Sequence, residues 1–77
     1  MIKDAGRLRW MCRRGMLELD VIFERFLDRD GYAKLTADQQ VLFETFMQEP
    51  DPKLFGWLLG HEQAPGEYAE LIKQVLG

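Results

Sequence analysis

The segment from Arg13 to Asp20 carries the side chains best suited to bind another molecule. Arg14, Gly15 and Glu18 place a guanidinium, a bare backbone and a carboxylate within five residues. Glycine lets another chain approach closely because it has no Cβ, and arginine presents a planar fork to carboxylates and carbonyls. A carboxylate in the first turn of a helix also suits the helix dipole. The spacing fits a contact surface, and it equally fits an Arg14–Glu18 pair four residues apart beside a glycine turn.

Side chains that commonly perform catalysis are few in this sequence. The 77 residues include no serine, one cysteine and one histidine. Cys12 follows Leu8 at helical spacing, which favours a buried small hydrophobe over a reactive thiol. His61 follows Gly60 where a loop is expected, and the sequence has neither a glycine-rich phosphate loop nor a Cys/His zinc pattern. We therefore expect a protein that is not an enzyme and that has neither a metal nor a tightly bound cofactor of its own.

Charge is distributed unevenly along the chain. Residues 1–14 carry five basic side chains and one acidic one, whereas residues 15–77 carry five basic and twelve acidic, giving a net charge of −3. A basic head on an acidic body fits either a solvated helix or a patch that faces an acidic or anionic partner. The body would repel phosphate, and no zinc-finger, basic-zipper or aromatic RNA-binding signature is present. Nucleic acid is therefore not expected as a partner.

Length and composition predict a single domain over residues 1–77. Hydrophobic residues make up 47% and charged residues 30%, a balance typical of soluble globular proteins. The longest uncharged apolar run, residues 54–60, is far shorter than the ~20 residues of a membrane span. One cysteine fits a reducing compartment, and the first residues do not form a secretory signal. We expect a cytoplasmic monomer.

The elements that must position these side chains are predicted to be five short helices, which makes the fold class an all-α compact bundle. Apolar residues recur at helical rather than strand spacing throughout. The second helix is expected to be central because Leu19, Ile22, Phe23 and Phe26 form one stripe at helical spacing, and Leu17 and Val21 widen the apolar surface. The five helices are expected at about 3–13, 16–27, 36–49, 51–60 and from 66 onward.

Residue types at the helix ends support these boundaries. Thr36 and Gln39 match the reciprocal capping box. Gly31 is expected to end the second helix in a left-handed conformation. Asp51 is expected to cap the fourth helix ahead of a proline at its first position, and Gly60 is expected to close it.

The sequence resembles a known family over nearly its whole length. Residues 10–20, WMCRRGMLELD, resemble the RGxxE segment of the SdhE-type flavin-assembly factors, and residues 51–58, DPKLFGWL, resemble that family's second recurrent segment. Residues 42–47 resemble the stretch between them. The resemblance implies a five-helix bundle that binds the flavoprotein subunit of succinate dehydrogenase or fumarate reductase and promotes covalent attachment of FAD to a histidine of that subunit.

The resemblance also implies which residues contact the partner. Its motif falls on this sequence without departure, and the nearby charged and aromatic residues are added by proximity. The expected partner-binding residues are Arg14, Gly15, Glu18, Arg7, Trp10 and Asp20, with Arg9 adjacent. Such a factor needs a binding surface rather than catalytic groups, because the flavoprotein can form the flavin bond itself once it is correctly arranged.

A second interpretation comes from a different class of protein. The acidic body would suit a small regulatory module, such as an antitoxin that neutralises a basic partner. The basic, aromatic head does not suit that role. Recovery of a large flavoprotein rather than a small basic protein from cells would separate the two interpretations.

Overall fold

The computed structural model describes residues 5–13 and 15–77. Within these ranges the chain forms six α-helices and no strand, with a 3₁₀ turn at Gly66–Tyr68. The predicted all-α bundle is confirmed, and the structure adds the four-residue α3 to the five helices expected. The helices are α1 (Ala5–Met11), α2 (Leu17–Asp28), α3 (Gly31–Lys34), α4 (Ala37–Phe46), α5 (Asp51–Leu58) and α6 (Ala69–Leu76).

Helix α2 lies at the centre of the bundle, as its apolar stripe predicts. Leu19, Phe23 and Phe26 have no exposed surface, and α2 packs against α3, α5 and α6. The ring of Phe43, from α4, meets Phe23 edge-on with centroids 6.4 Å apart and Phe26 at 5.4 Å. Aromatic pairs at these separations add to the stabilisation from apolar burial alone. Burial of this stripe therefore fixes which face of α2 remains outside.

A second aromatic cluster joins α4, α5 and the 3₁₀ turn. The Tyr68 ring lies 5.0 Å from Phe46 and 5.6 Å from Trp57, measured between centroids. The Tyr68 hydroxyl donates a hydrogen bond of 2.9 Å to Oε2 of Glu49. The pKa of Tyr68 is raised to about 12. Burial is the largest cause, and the hydrogen bond to Glu49 and the charges of Glu49 and Glu67 contribute the rest. The neutral phenol is thus the form that the folded protein favours.

The helix ends follow the sequence closely at two places. The Gln39 amide donates to Oγ1 of Thr36 at 3.1 Å, and the Thr36 amide donates to Oε1 of Gln39 at 2.9 Å, which completes the predicted capping box. Gly60 follows α5 with φ at +78°, as a closing glycine should. At the start of α5 the prediction was wrong by one residue, because Pro50 takes the cap position and Asp51 is already helical.

The junction of α2 and α3 corrects another expectation. Asp30, rather than Gly31, takes the left-handed conformation, with φ at +57°. Short polar side chains such as aspartate tolerate this region best among non-glycine residues. Gly31 is instead the buried first residue of α3, and a Cβ there would overlap the Phe26 ring and approach the Phe26 carbonyl oxygen to 2.6 Å. Close packing, not a positive φ, is the reason for glycine at this position.

Two arginines fasten the ends of the bundle to α2. Arg29 donates from Nη2 to the carbonyl oxygens of Gln74 and Val75, at 3.0 and 2.5 Å. A cation is favourable at this place because the last carbonyls of a helix lack partners within the helix. Arg9 of α1 pairs with Asp28 at the end of α2, with Nη2 and Oδ1 3.0 Å apart. The second contact is exposed and aligns α1 alongside α2.

Replacement of Gly31 by alanine tests the packing argument. The added Cβ would force the Phe26 ring out of a fully packed position, so we expect unfolding free energy to fall by about 1–3 kcal/mol. Gly66→Ala is the matched control, since no described atom lies within 4 Å of its Cβ position; it should change stability little or raise it by up to ~1 kcal/mol. Urea unfolding measures both, and equal stabilities of the two variants would contradict the argument.

Tyr68→Phe tests the buried phenol. With a pKa near 12 in the folded protein and an ordinary value of 10.0, the wild type binds the phenolic proton more tightly when folded. This contribution to stability is complete below pH 10 and is lost as pH rises through 12. Between these pH values the wild type should lose about 2 kcal/mol more unfolding free energy than Tyr68→Phe. Denaturant titrations measure the unfolding free energy at each pH. An equal pH dependence in the two proteins would show that folding does not raise the pKa of Tyr68.

Candidate functional site

The expected partner-binding residues lie on α1, on the turn that follows it and on the start of α2. Arg7 and Trp10 are exposed on α1, and Gly15 is exposed in the turn. Glu18 is exposed and Asp20 half-buried, both in the first turn of α2. Of these five residues, Trp10 and Asp20 line one concavity together; the other three are neighbours along the chain.

Arg14 lies outside the described residues. The prediction that its guanidinium belongs to the contact surface stays a prediction, and so does the alternative pairing of Arg14 with Glu18. The surface described below consists of the neighbouring residues only.

Gly15 has no packing requirement for glycine within the described chain. Apart from its sequence neighbours, no described atom lies within 4 Å of the position that a Cβ would take. This contrasts with Gly31, where the Phe26 ring fills that space. The absence of a side chain at Gly15 thus serves no contact within the described part of the molecule, and it leaves backbone accessible to another chain.

The start of α2 presents a carboxylate and an apolar side chain to solvent. Glu18 lies in the first turn, where its negative charge interacts favourably with the positive end of the helix dipole. Met16 occupies the cap position of α2, and its side chain makes no hydrogen bond to the first backbone amides of the helix. Leu17 is 72% exposed, so the expectation that it widens the apolar face was wrong. Leu17 is the first residue of α2, and within the described part of the chain its side chain stays largely open to solvent.

A groove of about 470 Å³ separates α1 from α2 beside Trp10. Its floor includes the buried Cys12 and Phe23, which confirms the prediction that Cys12 packs as a small hydrophobe. Its rim carries charges of both signs, from Arg9 on α1 and Asp20 on α2. The remaining lining residues are Gly6, Trp10, Arg13, Glu24 and Leu27.

A second groove, of about 450 Å³, lies on another side of the same indole. Four residues line it: Trp10, Met11, Arg13 and Met47. Met47 comes from the turn after α4 and is almost wholly buried, whereas Met11 is half-buried against the core. We call this concavity the methionine groove. Trp10, which is 75% exposed, borders both grooves.

Sequence reasoning missed several residues of these grooves. Glu24 and Leu27 share a face of α2 with Asp20, at offsets of four and seven residues, so helical spacing could have found them. The meeting of Arg13 with Met47 had no such signal, because the two residues come together only through the tertiary fold. Of the expected site residues, Trp10 and Asp20 line one groove together.

Among residues 5–13 and 15–77, histidine, cysteine and carboxylate side chains nowhere gather in a group of three that could hold a metal ion. The helices in the same ranges are too short and insufficiently apolar to cross a lipid bilayer.

Comparison with known proteins gives a consistent family assignment. The model of a family described as flavinator of succinate dehydrogenase matches residues 6–76. A protein of Idiomarina loihiensis named FAD assembly factor SdhE is 47% identical over 97% of this chain and 83% of its own length. Proteins of that name from Shewanella oneidensis and Coxiella burnetii are 46% and 40% identical, covering 99% and 92% of this chain and 93% and 87% of theirs. No solved structure matches the fold.

Gly15→Arg should leave the fold intact. Because the Cβ position is open to solvent, we expect the unfolding free energy to stay within about 0.5 kcal/mol of wild type. Thermal and urea unfolding followed by circular dichroism measure this, with Gly31→Ala as the destabilised reference. A clear loss of stability in Gly15→Arg would make Gly15 a structural turn residue.

Proposed function

The chain belongs to the family of flavinators of succinate dehydrogenase, and we propose that it binds the flavoprotein subunit of succinate dehydrogenase or fumarate reductase and promotes covalent attachment of FAD to that subunit. The observation that carries this proposal is the family match from residue 6 to residue 76. Relatives named FAD assembly factor SdhE support it over nearly the whole chain. These matches favour an assembly factor over the small acidic regulatory module.

The proposed contact surface centres on the motif residues Arg14, Gly15 and Glu18. Gly15 supports this placement because its open Cβ position allows a partner backbone to lie against the turn. Glu18 is exposed beside it and can accept hydrogen bonds from the partner. Hydrogen bonds that involve a charged group are stronger than neutral ones. The edge of the surface is formed by Arg7, Trp10 and Asp20.

The assembly factor acts in this proposal through binding rather than catalysis. A partner that binds one conformation of a protein more tightly than another shifts the population toward it, by at most the difference in binding free energy. A factor that prefers the conformer in which FAD and the acceptor histidine are aligned therefore speeds attachment without touching the reacting atoms. A difference of about 1.4 kcal/mol would raise the ratio of that conformer to the others tenfold.

The remaining features of the proposal follow from this mode of action. The protein is non-catalytic and does not hold FAD tightly by itself. It acts as a monomer in the cytoplasm on a newly made flavoprotein subunit, and nucleic acid is not among its partners.

Covalent flavin incorporation in the presence of wild-type and variant factor tests the proposal. Gly15→Arg should abolish most binding and most incorporation, because a long charged side chain then occupies the place of the partner backbone. Glu18→Ala should act in the same direction, with a loss of about 1.5–3 kcal/mol in binding free energy if the carboxylate is buried at the interface. The measurements are affinity for the purified apo-subunit and flavin fluorescence of the denatured subunit.

Gly66→Arg is the matched control for the glycine substitution. It adds the same side chain at a second exposed glycine whose Cβ position is open, outside the proposed surface. Binding and incorporation should match the wild type. If Gly15→Arg remains folded and supports normal incorporation, the assignment of the surface is wrong; if the wild-type factor neither binds the subunit nor raises incorporation, the proposed function is wrong.

A further inference from the structure

Trp10 presents an unusually large apolar surface to solvent. Trp10 is 75% exposed, whereas Cys12 and Leu19, which follow it in the chain, are buried. Tryptophan is enriched among interface residues that contribute most to affinity, because it adds a large rigid area at a small entropic cost. Trp10 also borders two concavities, so a partner seated beside it would be enclosed on more than one side.

In the methionine groove the Trp10 indole lies beside two methionine side chains and one cationic side chain, that of Arg13. Its lining consists of three apolar side chains and the guanidinium of Arg13, with no carboxylate among these described residues. Methionine adapts its shape to irregular partners because its side chain is unbranched and polarisable. Met47 is 3% exposed, so one wall of the groove is fixed by the core. The groove thus suits an apolar side chain with a carboxylate close to it.

The charge distribution selects the same kind of occupant. Residues 5–13 contain three arginines and no acidic residue, whereas residues 15–77 contain five basic and twelve acidic residues. An acidic segment is therefore attracted to α1 and repelled by the rest of the surface, which orients the encounter as well as speeding it.

The neighbouring groove between α1 and α2 is a poorer seat for a carboxylate. Asp20 and Glu24 line it, and Arg9, one of its two arginines, already pairs with Asp28. Arg13 borders both grooves, and the methionine groove is the one in which no carboxylate stands beside it among the described lining residues. Of the two concavities beside Trp10, it is the one whose charge complements an acidic segment.

We propose that the methionine groove receives an apolar side chain flanked by a carboxylate, from an acidic segment of the flavoprotein subunit, with Trp10 as its apolar anchor and Arg13 as its charge partner. The identity of the partner rests on the proposed function, whereas the chemistry of the occupant rests on the groove. This contact adjoins the one at Gly15 and Glu18 through Trp10, and it sets both the rate of encounter and the lifetime of the complex.

Binding kinetics of three variants with the purified flavoprotein subunit test this assignment. Trp10→Ala should weaken affinity by at least ~30-fold, mainly through faster dissociation, as expected for a buried aromatic anchor. Arg13→Glu should slow association by about tenfold at low salt and much less at high salt. Lys34→Glu, which makes the same charge change on the exposed end of α3, is the control and should change association by no more than about twofold.

A cross-link identifies the occupant directly. With Trp10 replaced by the photoreactive p-benzoylphenylalanine, irradiation of the complex should attach the flavoprotein subunit through a peptide that carries an apolar residue next to Asp or Glu. Reversal of that carboxylate to arginine in the subunit should slow association with the wild-type factor and restore it with Arg13→Glu. Restoration by charge exchange is a result that a merely structural role of Arg13 cannot give.

The outcomes separate this inference from the proposed function. A wild-type factor that does not bind the subunit overturns the proposed function and the inference with it. Normal binding by Trp10→Ala and Arg13→Glu, or a cross-linked peptide without a nearby carboxylate, overturns the inference and leaves the proposed function standing. Equal salt dependence of Arg13→Glu and Lys34→Glu also overturns it. Circular dichroism of each variant confirms the fold beforehand, since both side chains are exposed.

Discussion

Burial of the α2 stripe is the constraint on which the rest of this structure depends. Leu19, Phe23 and Phe26 are excluded from solvent entirely, and a chain this short buries a smaller share of its surface than a larger domain does, so each fully buried side chain matters more to its stability. The aromatic ring of Phe43 completes that contact. With one face of α2 committed to the core, its carboxylates must lie outward, and the start of the helix becomes the place where Glu18 meets solvent.

Two glycines show how the core and the surface impose different demands on the same residue type. Gly31 is glycine because the ring of Phe26 occupies the space beside it. Gly15 meets no such obstacle within the described chain. Packing accounts for the glycine at position 31. Packing does not account for the one at position 15, which is instead consistent with the close approach of another chain to the turn. This difference, rather than the motif alone, gives the surface at Gly15 its physical support.

The sequence was sufficient at several places where a local pattern decides the structure. The apolar period of α2, the capping box at Thr36 and the closing glycine at Gly60 each depend on residues within a few positions of one another. Helix α3 and the left-handed Asp30 were missed, because the choice between them and a cap at Gly31 is made by the Phe26 ring.

The candidate surface divides in the same way. Its motif residues were visible in the sequence, and so were the side chains that share a face of α2. The grooves beside Trp10 were not visible, since each needs the approach of two elements. Met47 follows the last residue of α4 and lies thirty-seven residues after Trp10 in the chain. Both residues line the methionine groove, and no local sequence pattern connects the two.

The residues that stabilise the core differ from those of the proposed partner contact. The core depends on α2, α4 and the aromatic rings around Phe43 and Tyr68, whereas Trp10, Gly15 and Glu18 are all exposed. Exposed positions away from caps and buried charges seldom affect stability by much. Helix α1 adds a basic strip to an acidic body through the Arg9–Asp28 pair and the apolar side chains of Leu8 and Met11. Trp10 is 75% exposed beside two grooves, so packing in the core does not account for its position, whereas the proposed partner contact would.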